Sequence, residues 1–147
     1  MKSLFEDTTF LETKKRLNKL EPTIQPKWGK MNLGQMLNHC QKPLELALQK
    51  ENFQLKPNLL AKWFFKKALY NDTLWSQGLP TPKAFKVVSK KDFVSEKAQL
   101  EMLITEFYNK KERTEWPPHP VFGKFTPEQW GKMQYKHLDH HLRQFGV

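Results

Sequence analysis

Three histidines, His137, His140 and His141, stand within five residues near the end of the chain, in "YKHLDHHLRQF". Imidazole titrates close to neutral pH and is the commonest protein ligand for transition metals. Two imidazoles four apart on a helix share one face, about one turn from each other, and can bind a single divalent ion. That is the spacing of the H-E-x-x-H zinc enzymes, but the glutamate of that motif is absent here, which excludes the metalloprotease reading. Spacing alone leaves two pairs open, His137 with His141 and His137 with His140, because neighbours three or four apart both share a face.

The element that must carry them begins with strong start signals. Thr126 is placed to cap it, Pro127 takes the first helical position, and Thr126 and Gln129 form a capping box. Gly146 is a suitable terminator. Wound at about 100° per residue, this helix puts Lys132, Lys136, Asp139 and Arg143 on one arc, with His140 at its rim. The other arc holds Trp130, Met133, Leu138, Leu142 and Phe145, and both His137 and His141 fall within it. His141 therefore turns inward with His137, and His140 lies towards the cations.

A third histidine lies on another helix. The stretch "NLGQMLNHCQKPLELALQK" opens at Asn32, a good N-cap, and alternates a polar arc, which includes Gln41, with an apolar one. His39 falls inside the apolar arc, near its edge. The ring of Pro43 should clash with the carbonyl of His39 and kink the helix there. Three imidazoles on inner faces are costly to bury without partners, and a metal ion removes that cost.

Two further helices complete the reading. The first runs from about residue 8 to 20, with Thr8 or Thr9 as cap and Phe10, Leu11, Leu17 and Leu20 as an apolar stripe. The third runs from about 91 to 111 and keeps the helical period through Val94, Ala98, Met102 or Leu103, and Phe107. Residues 50 to 90 are the least regular part. A short helix within "PNLLAKWFFKKALYND" carries Trp63, Phe64 and Phe65, and "GLPTPKAFKV" reads as extended, with Pro80 and Pro82 blocking helix. A basic aromatic helix of that kind can touch a membrane or a partner, though the commoner arrangement packs its aromatics on the core. Four main helices and no convincing strand pair make an all-α four-helix bundle the expected fold, with an irregular segment at about 50–90.

The chain has 147 residues, enough for a single domain with a real core. No apolar run is long enough to span a bilayer, and the N-terminus shows no secretory h-region. One cysteine, Cys40, excludes an internal disulfide. A cytoplasmic home is the expectation. The 25 Lys and Arg against 15 Asp and Glu give a net charge of +10. Such a balance favours anionic partners, namely nucleic acid, phosphorylated metabolites or an anionic membrane. The lysines are scattered, however, which fits a solvated surface, and no nucleic-acid-binding motif accompanies them.

One His on the second helix of a small bundle, with H-x-x-x-H on the last, resembles the DinB/YfiT-like superfamily of candidate metalloenzymes. The phrases "HPVFGKFTPEQW" and "YKHLDHHLRQF" are similar to one uncharacterised branch of it. The resemblance is carried by residues 115–146 and, less specifically, 27–48. It implies a DinB-like bundle whose metal ligands are His39, His137 and His141, with zinc, nickel or iron as the ion. Relatives of that kind use low-molecular-weight thiols in transfer or isomerisation, or hold iron in sulfur-oxidising enzymes. No thiol-cofactor motif is recognisable in this chain.

The chemistry expected is that of a small metal-dependent enzyme, a hydrolase or thiol S-transferase, in which the ion activates water or a thiol. His119, in the proline-rich loop before the last helix, is a candidate acid or base over the site. Cys40 adjoins a ligand but points into the apolar arc, as a small core residue. The partners expected are a small-molecule substrate, a thiol among the candidates, and a second copy of the chain in a homodimer. The alternative is a non-catalytic basic module that binds nucleic acid or another anionic partner.

Overall fold

The computed structural model describes the backbone of residues 1–147, and the side chains of all but Leu59, Ala61 and Lys62. Its helices are α1 (Asp7–Asn18), α2 (Leu33–Ala47), α3 (Leu59–Phe65), α4 (Phe93–Asn109) and α5 (Pro127–Gln144). Two 3-10 turns, Lys67–Leu69 and Lys83–Phe85, interrupt the long connection from α2 to α4. Among the described residues there is no strand, only a single bridge between His119 and Gly123. The all-α expectation holds, and among the described residues no helix is long and apolar enough to cross a membrane.

The two helices that matter most have well-formed starts. Asn32 and Gln35 cap α2 reciprocally, side chain to backbone in both directions. Thr126 and Gln129 do the same for α5, with Pro127 at its first position. Each box satisfies two backbone donors that the first helical turn otherwise leaves open. Helix α2 continues through Pro43 to Ala47, and Gln134 on α5 donates to the Pro43 carbonyl at 2.8 Å.

Helices α2 and α4 pack closely, and α5 lies against α1 and α2. Leu37, Leu44, Ile104, Phe107 and Trp130, all fully buried, belong to the one core they share. At the α2–α4 junction, a β-carbon on Gly34 would come within 2.4 Å of the Lys91 carbonyl oxygen, so only glycine permits this approach.

Several details of the sequence reading give way to the tertiary structure. Helix α1 begins after Glu6, so Thr8 and Thr9 lie inside it. Its buried positions are Thr9, Thr13 and Leu17, while Leu11 is exposed. Thr9 and Thr13 tolerate burial because their hydroxyls bond to Glu6 and to the Thr9 carbonyl. Gln41 is buried and donates to the backbone and carboxylate of Glu96. On α4, Val94 and Met102 face solvent, and Leu100, Leu103, Ile104 and Phe107 form the inner stripe.

The largest differences concern the connection and α5. Trp63, Phe64 and Phe65 do not pack on the core; they are 83%, 74% and 62% exposed. The segment after Pro82 is a 3-10 turn, not extended, and buries Phe85. Helix α5 is surrounded more completely than an amphipathic surface helix. The Leu4 amide donates to the Gly131 carbonyl, the Lys27 amide to the Gln144 carbonyl, and Arg16 of α1 pairs with Asp139. Lys136 and His140, assigned to the polar arc and its rim, are both buried as well, Lys136 by Ala68 and Asn71 and His140 by Trp28 and Trp75.

Candidate metal centre

Helices α2 and α5 bring His39, His137 and His141 together in the interior. The three can each offer a ring nitrogen, and these nitrogens lie within 4.8 Å of one another. His39 Nε2 and His137 Nε2 are 3.0 Å apart. The rings meet at large angles, with centroids 4.9 Å apart for His39 and His137, 4.7 Å for His39 and His141, and 4.8 Å for His137 and His141.

The hydrogen bonds behind the rings fix two of the three tautomers. His39 Nδ1 lies 3.0 Å from the carbonyl oxygen of Phe85, an acceptor only, so Nδ1 carries the proton and donates it. His39 Nε2 is left with its lone pair. His141 Nδ1 lies 2.8 Å from Oε1 of Gln144. The amide of Gln144 is itself oriented, because its Nε2 donates to the Trp28 carbonyl at 2.7 Å. His141 Nδ1 is thus also a donor, and its Nε2 is also free. An imidazole that donates one N–H to an oxygen and presents the other nitrogen inward is the usual arrangement of a metal-ligating histidine.

All three rings are held neutral. Burial lowers the pKa of His39, partly opposed by the bond to Phe85. Burial, reinforced by His39, pushes His141 down to about 3. His137 lies well below its ordinary value, first from burial and then from His141, His39 and His140. Neutral imidazole is the metal-binding form, so the trio need release no net proton to take up an ion.

The donor set fits a transition metal. Nitrogens each about 2.1 Å from one ion stand no more than about 4.2 Å apart. The His39–His137 pair at 3.0 Å already meets that limit, and a separation of 4.8 Å would close by at least about 0.6 Å, within reach of small side-chain rotations. Three nitrogens with no carboxylate favour zinc, nickel, iron or copper over magnesium or calcium. His137 Nδ1 and His140 Nδ1 are buried polar atoms without a partner among the described residues.

His140 is buried but stands outside the trio. Its ring lies edge-on to those of Trp28 and Trp75, at 5.9 and 5.7 Å. Its pKa is lowered, first by burial and then by Arg143. Trp75 also meets His137, at 5.9 Å, and so covers the trio from the long connection. Lys136 secures that cover. Its ammonium donates to the carbonyls of Ala68 and Asn71 and to Asn71 Oδ1, at 2.7, 3.1 and 2.6 Å. Burial lowers its pKa to about 8, which leaves it charged at neutral pH.

His119 is not brought to the trio. Its ring packs on Phe122, Phe125 and Trp130, and Trp130 sits seven residues before His137, about 10 Å along the axis of α5. His119 Nδ1 accepts from the amides of Val121 and Phe122, which pins a tight loop. Cys40 is buried against Met36, with burial raising its thiol pKa, and takes no part in the centre.

Sequence reasoning missed Phe85, Gln144 and Trp75. Gln144 had a visible signal, since it lies three residues after His141 on the same helix. Phe85 contributes a backbone carbonyl, and nothing about its side chain announces that. Trp75 arrives from the irregular connection, where periodicity gives no register.

Comparison with known proteins adds the family alone. No curated protein and no solved structure matches the chain significantly. One family model covers residues 5–146, which includes every residue of the centre described above. The chain therefore belongs to DUF1569, a family described as proteins of unknown function.

Proposed function

We propose that this protein is a metal-dependent enzyme in which His39, His137 and His141 hold one divalent ion beside a small substrate. The observation that carries the reading is the pair of outer bonds, His39 Nδ1 to Phe85 and His141 Nδ1 to Gln144. They aim two lone pairs into the space that His137 shares. A purely structural histidine would more often bond outward through either nitrogen and face apolar neighbours.

A divalent ion held there would supply Lewis acidity, lowering the pKa of a water or thiol so that it becomes nucleophilic near neutral pH. The rest of the work falls to the chain. Phe85 and Gln144 raise the basicity of the two rings they hold and keep them from rotating. Trp28 and Trp75 limit water around His140 and His137, which strengthens every electrostatic contact inside. His140 meets His141 with ring centroids 5.1 Å apart, and its Nδ1 has no partner among the described residues. It is the neutral base beside the trio, and is placed to take the proton given up by the nucleophile.

The reading places the protein with hydrolases or thiol S-transferases, as the resemblance to DinB/YfiT-like proteins also implies. The test is to load protein purified without a histidine tag with zinc, nickel or iron. Hydrolysis of simple esters and amides, and addition of small thiols to electrophiles, are then measured. A rate that rises with metal and collapses in His137→Ala supports the proposal. Stoichiometric metal with no change in any rate would reduce it to metal binding without catalysis.

A further inference from the structure

We infer that α3 is a docking tip for an anionic lipid surface. Leu60, Trp63, Phe64 and Phe65 are all more than three-fifths exposed, on a helix of seven residues. Scattered exposed apolar residues are ordinary, but a contiguous cluster of this size marks a binding surface.

The distribution of the cluster selects the occupant. A protein groove receives a helix along one stripe, at spacings of three and four. Trp63, Phe64 and Phe65 are consecutive, so they spread over about 200° of the helix circumference. Leu60 shares the sides of Trp63 and Phe64. No single groove covers such a tip, whereas the interface of a bilayer receives apolar groups from all around it. Tryptophan beside phenylalanine and leucine is the composition that settles at the level of the headgroups.

The charge around the tip gives the lipid its sign. Residues 51–90 hold seven lysines against two acidic residues. Lys56 and Lys67, on either side of α3, are exposed. Long amines near an inserted apolar tip reach back to the headgroups and favour anionic ones. A neutral or cationic surface would gain nothing from them.

The tip is also firmly mounted. Helix α3 packs on the 3-10 turn that follows, and that turn packs on α5. Lys136 holds the carbonyls of Ala68 and Asn71 just beyond it. Insertion of the aromatics therefore brings the whole molecule to the surface.

The experiment is sedimentation of the full chain with vesicles of phosphatidylcholine alone, and of phosphatidylcholine mixed with an equal part of phosphatidylglycerol. The expected result is binding to the anionic vesicles, weakened by salt, with little binding to the neutral ones. The double variant Trp63→Ser, Phe64→Ser should bind at least about tenfold more weakly, since each buried aromatic contributes on that scale. Its melting temperature should match the parent's, because both side chains are already in water. Lys56→Glu with Lys67→Glu should erase the preference for the anionic vesicles. Absence of binding at low salt overturns the proposal, as does unchanged binding by the serine variant. A dimer that dissociates in the serine variant, with no vesicle binding, would assign the tip to a second copy of the chain instead.

Discussion

His137 Nε2 faces His39 Nε2 across 3.0 Å, and only one of these two nitrogens can carry a proton. His39 has its proton on Nδ1, given to the Phe85 carbonyl. In the metal-free protein the hydrogen between the rings therefore belongs to His137. Metal binding requires that nitrogen bare, so the proton of His137 must move to Nδ1, which has no acceptor among the described residues. Nitrogen-15 NMR of the histidine rings tests this. Without metal, His39 and His141 should show protonated Nδ1 and His137 protonated Nε2. Adding zinc should switch the tautomer of His137 alone. A metal-free His137 already protonated at Nδ1 would contradict the assignment.

Replacing a proposed ligand should differ sharply from replacing its neighbour. His141→Ala removes one of three nitrogens and the lone pair that Gln144 orients. His140→Ala removes a buried ring outside the trio. Metal titration should show one divalent ion per chain for the parent and for His140→Ala. His141→Ala should lose at least about a hundredfold in affinity, more than loss of an outer partner costs. The reverse ranking would mean that His140 rather than His141 completes the site.

Gln144 should act through His141. Gln144→Met keeps the bulk but removes both the acceptor for His141 and the donor to Trp28. Metal affinity should fall about 10–100-fold, the usual cost of an outer partner. Gln144→Glu keeps the acceptor and should retain most of the affinity. Calorimetric titration of the two variants with zinc separates orientation from mere packing.

Acid should destabilise the protein through His119 as well as through the trio. Burial, with a smaller contribution from Lys66, lowers the folded pKa of His119 to about 4, against about 6.5 in an unfolded chain. Between those values the unfolded state binds the extra proton. Stability is thus fully present above about pH 6.5 and is lost as the pH falls towards 4. The contribution is on the order of a few kcal/mol. His119→Asn keeps an acceptor for the amides of Val121 and Phe122 but cannot titrate. Its chelator-treated melting temperature should fall less steeply over that window than the parent's.

Lys136 should matter for order above the site. Lys136→Met leaves the carbonyl and the side-chain oxygen of Asn71 without this donor, and leaves the Ala68 carbonyl with Trp75 Nε1 alone. The expected loss is about 1–3 kcal/mol. Hydrogen exchange should quicken first at residues 67–75, which the ammonium holds down, and chemical denaturation gives the total.

How much of this was legible in the residues depends on the kind of signal. The start of α5 was fully readable, because Thr126, Pro127 and Gln129 act locally whatever surrounds them. The inward turn of His39, His137 and His141 followed from the apolar arcs of two helices. Lys136 and His140 were misassigned for one reason. A polar arc normally faces water, but here the first 3-10 turn and its following loop cover it, together with Trp28 over His140. The exposure of Trp63, Phe64 and Phe65 ran against their composition, and composition alone could not show that the bundle fills its core without them. The family match spans these regions alike and adds no chemistry to any of them.

The carbonyl of Phe85 orients His39 without using anything that distinguishes phenylalanine from another residue. Alanine scanning leaves every carbonyl in place, so it would score position 85 by its buried ring and pass over its service to the imidazole. Comparison of relatives has the same blind spot, because a backbone oxygen leaves no trace in the identity of a residue. Detecting it takes a change to the main chain itself. An ester in place of the peptide bond between Phe85 and Lys86 would weaken that oxygen as an acceptor while leaving every side chain untouched.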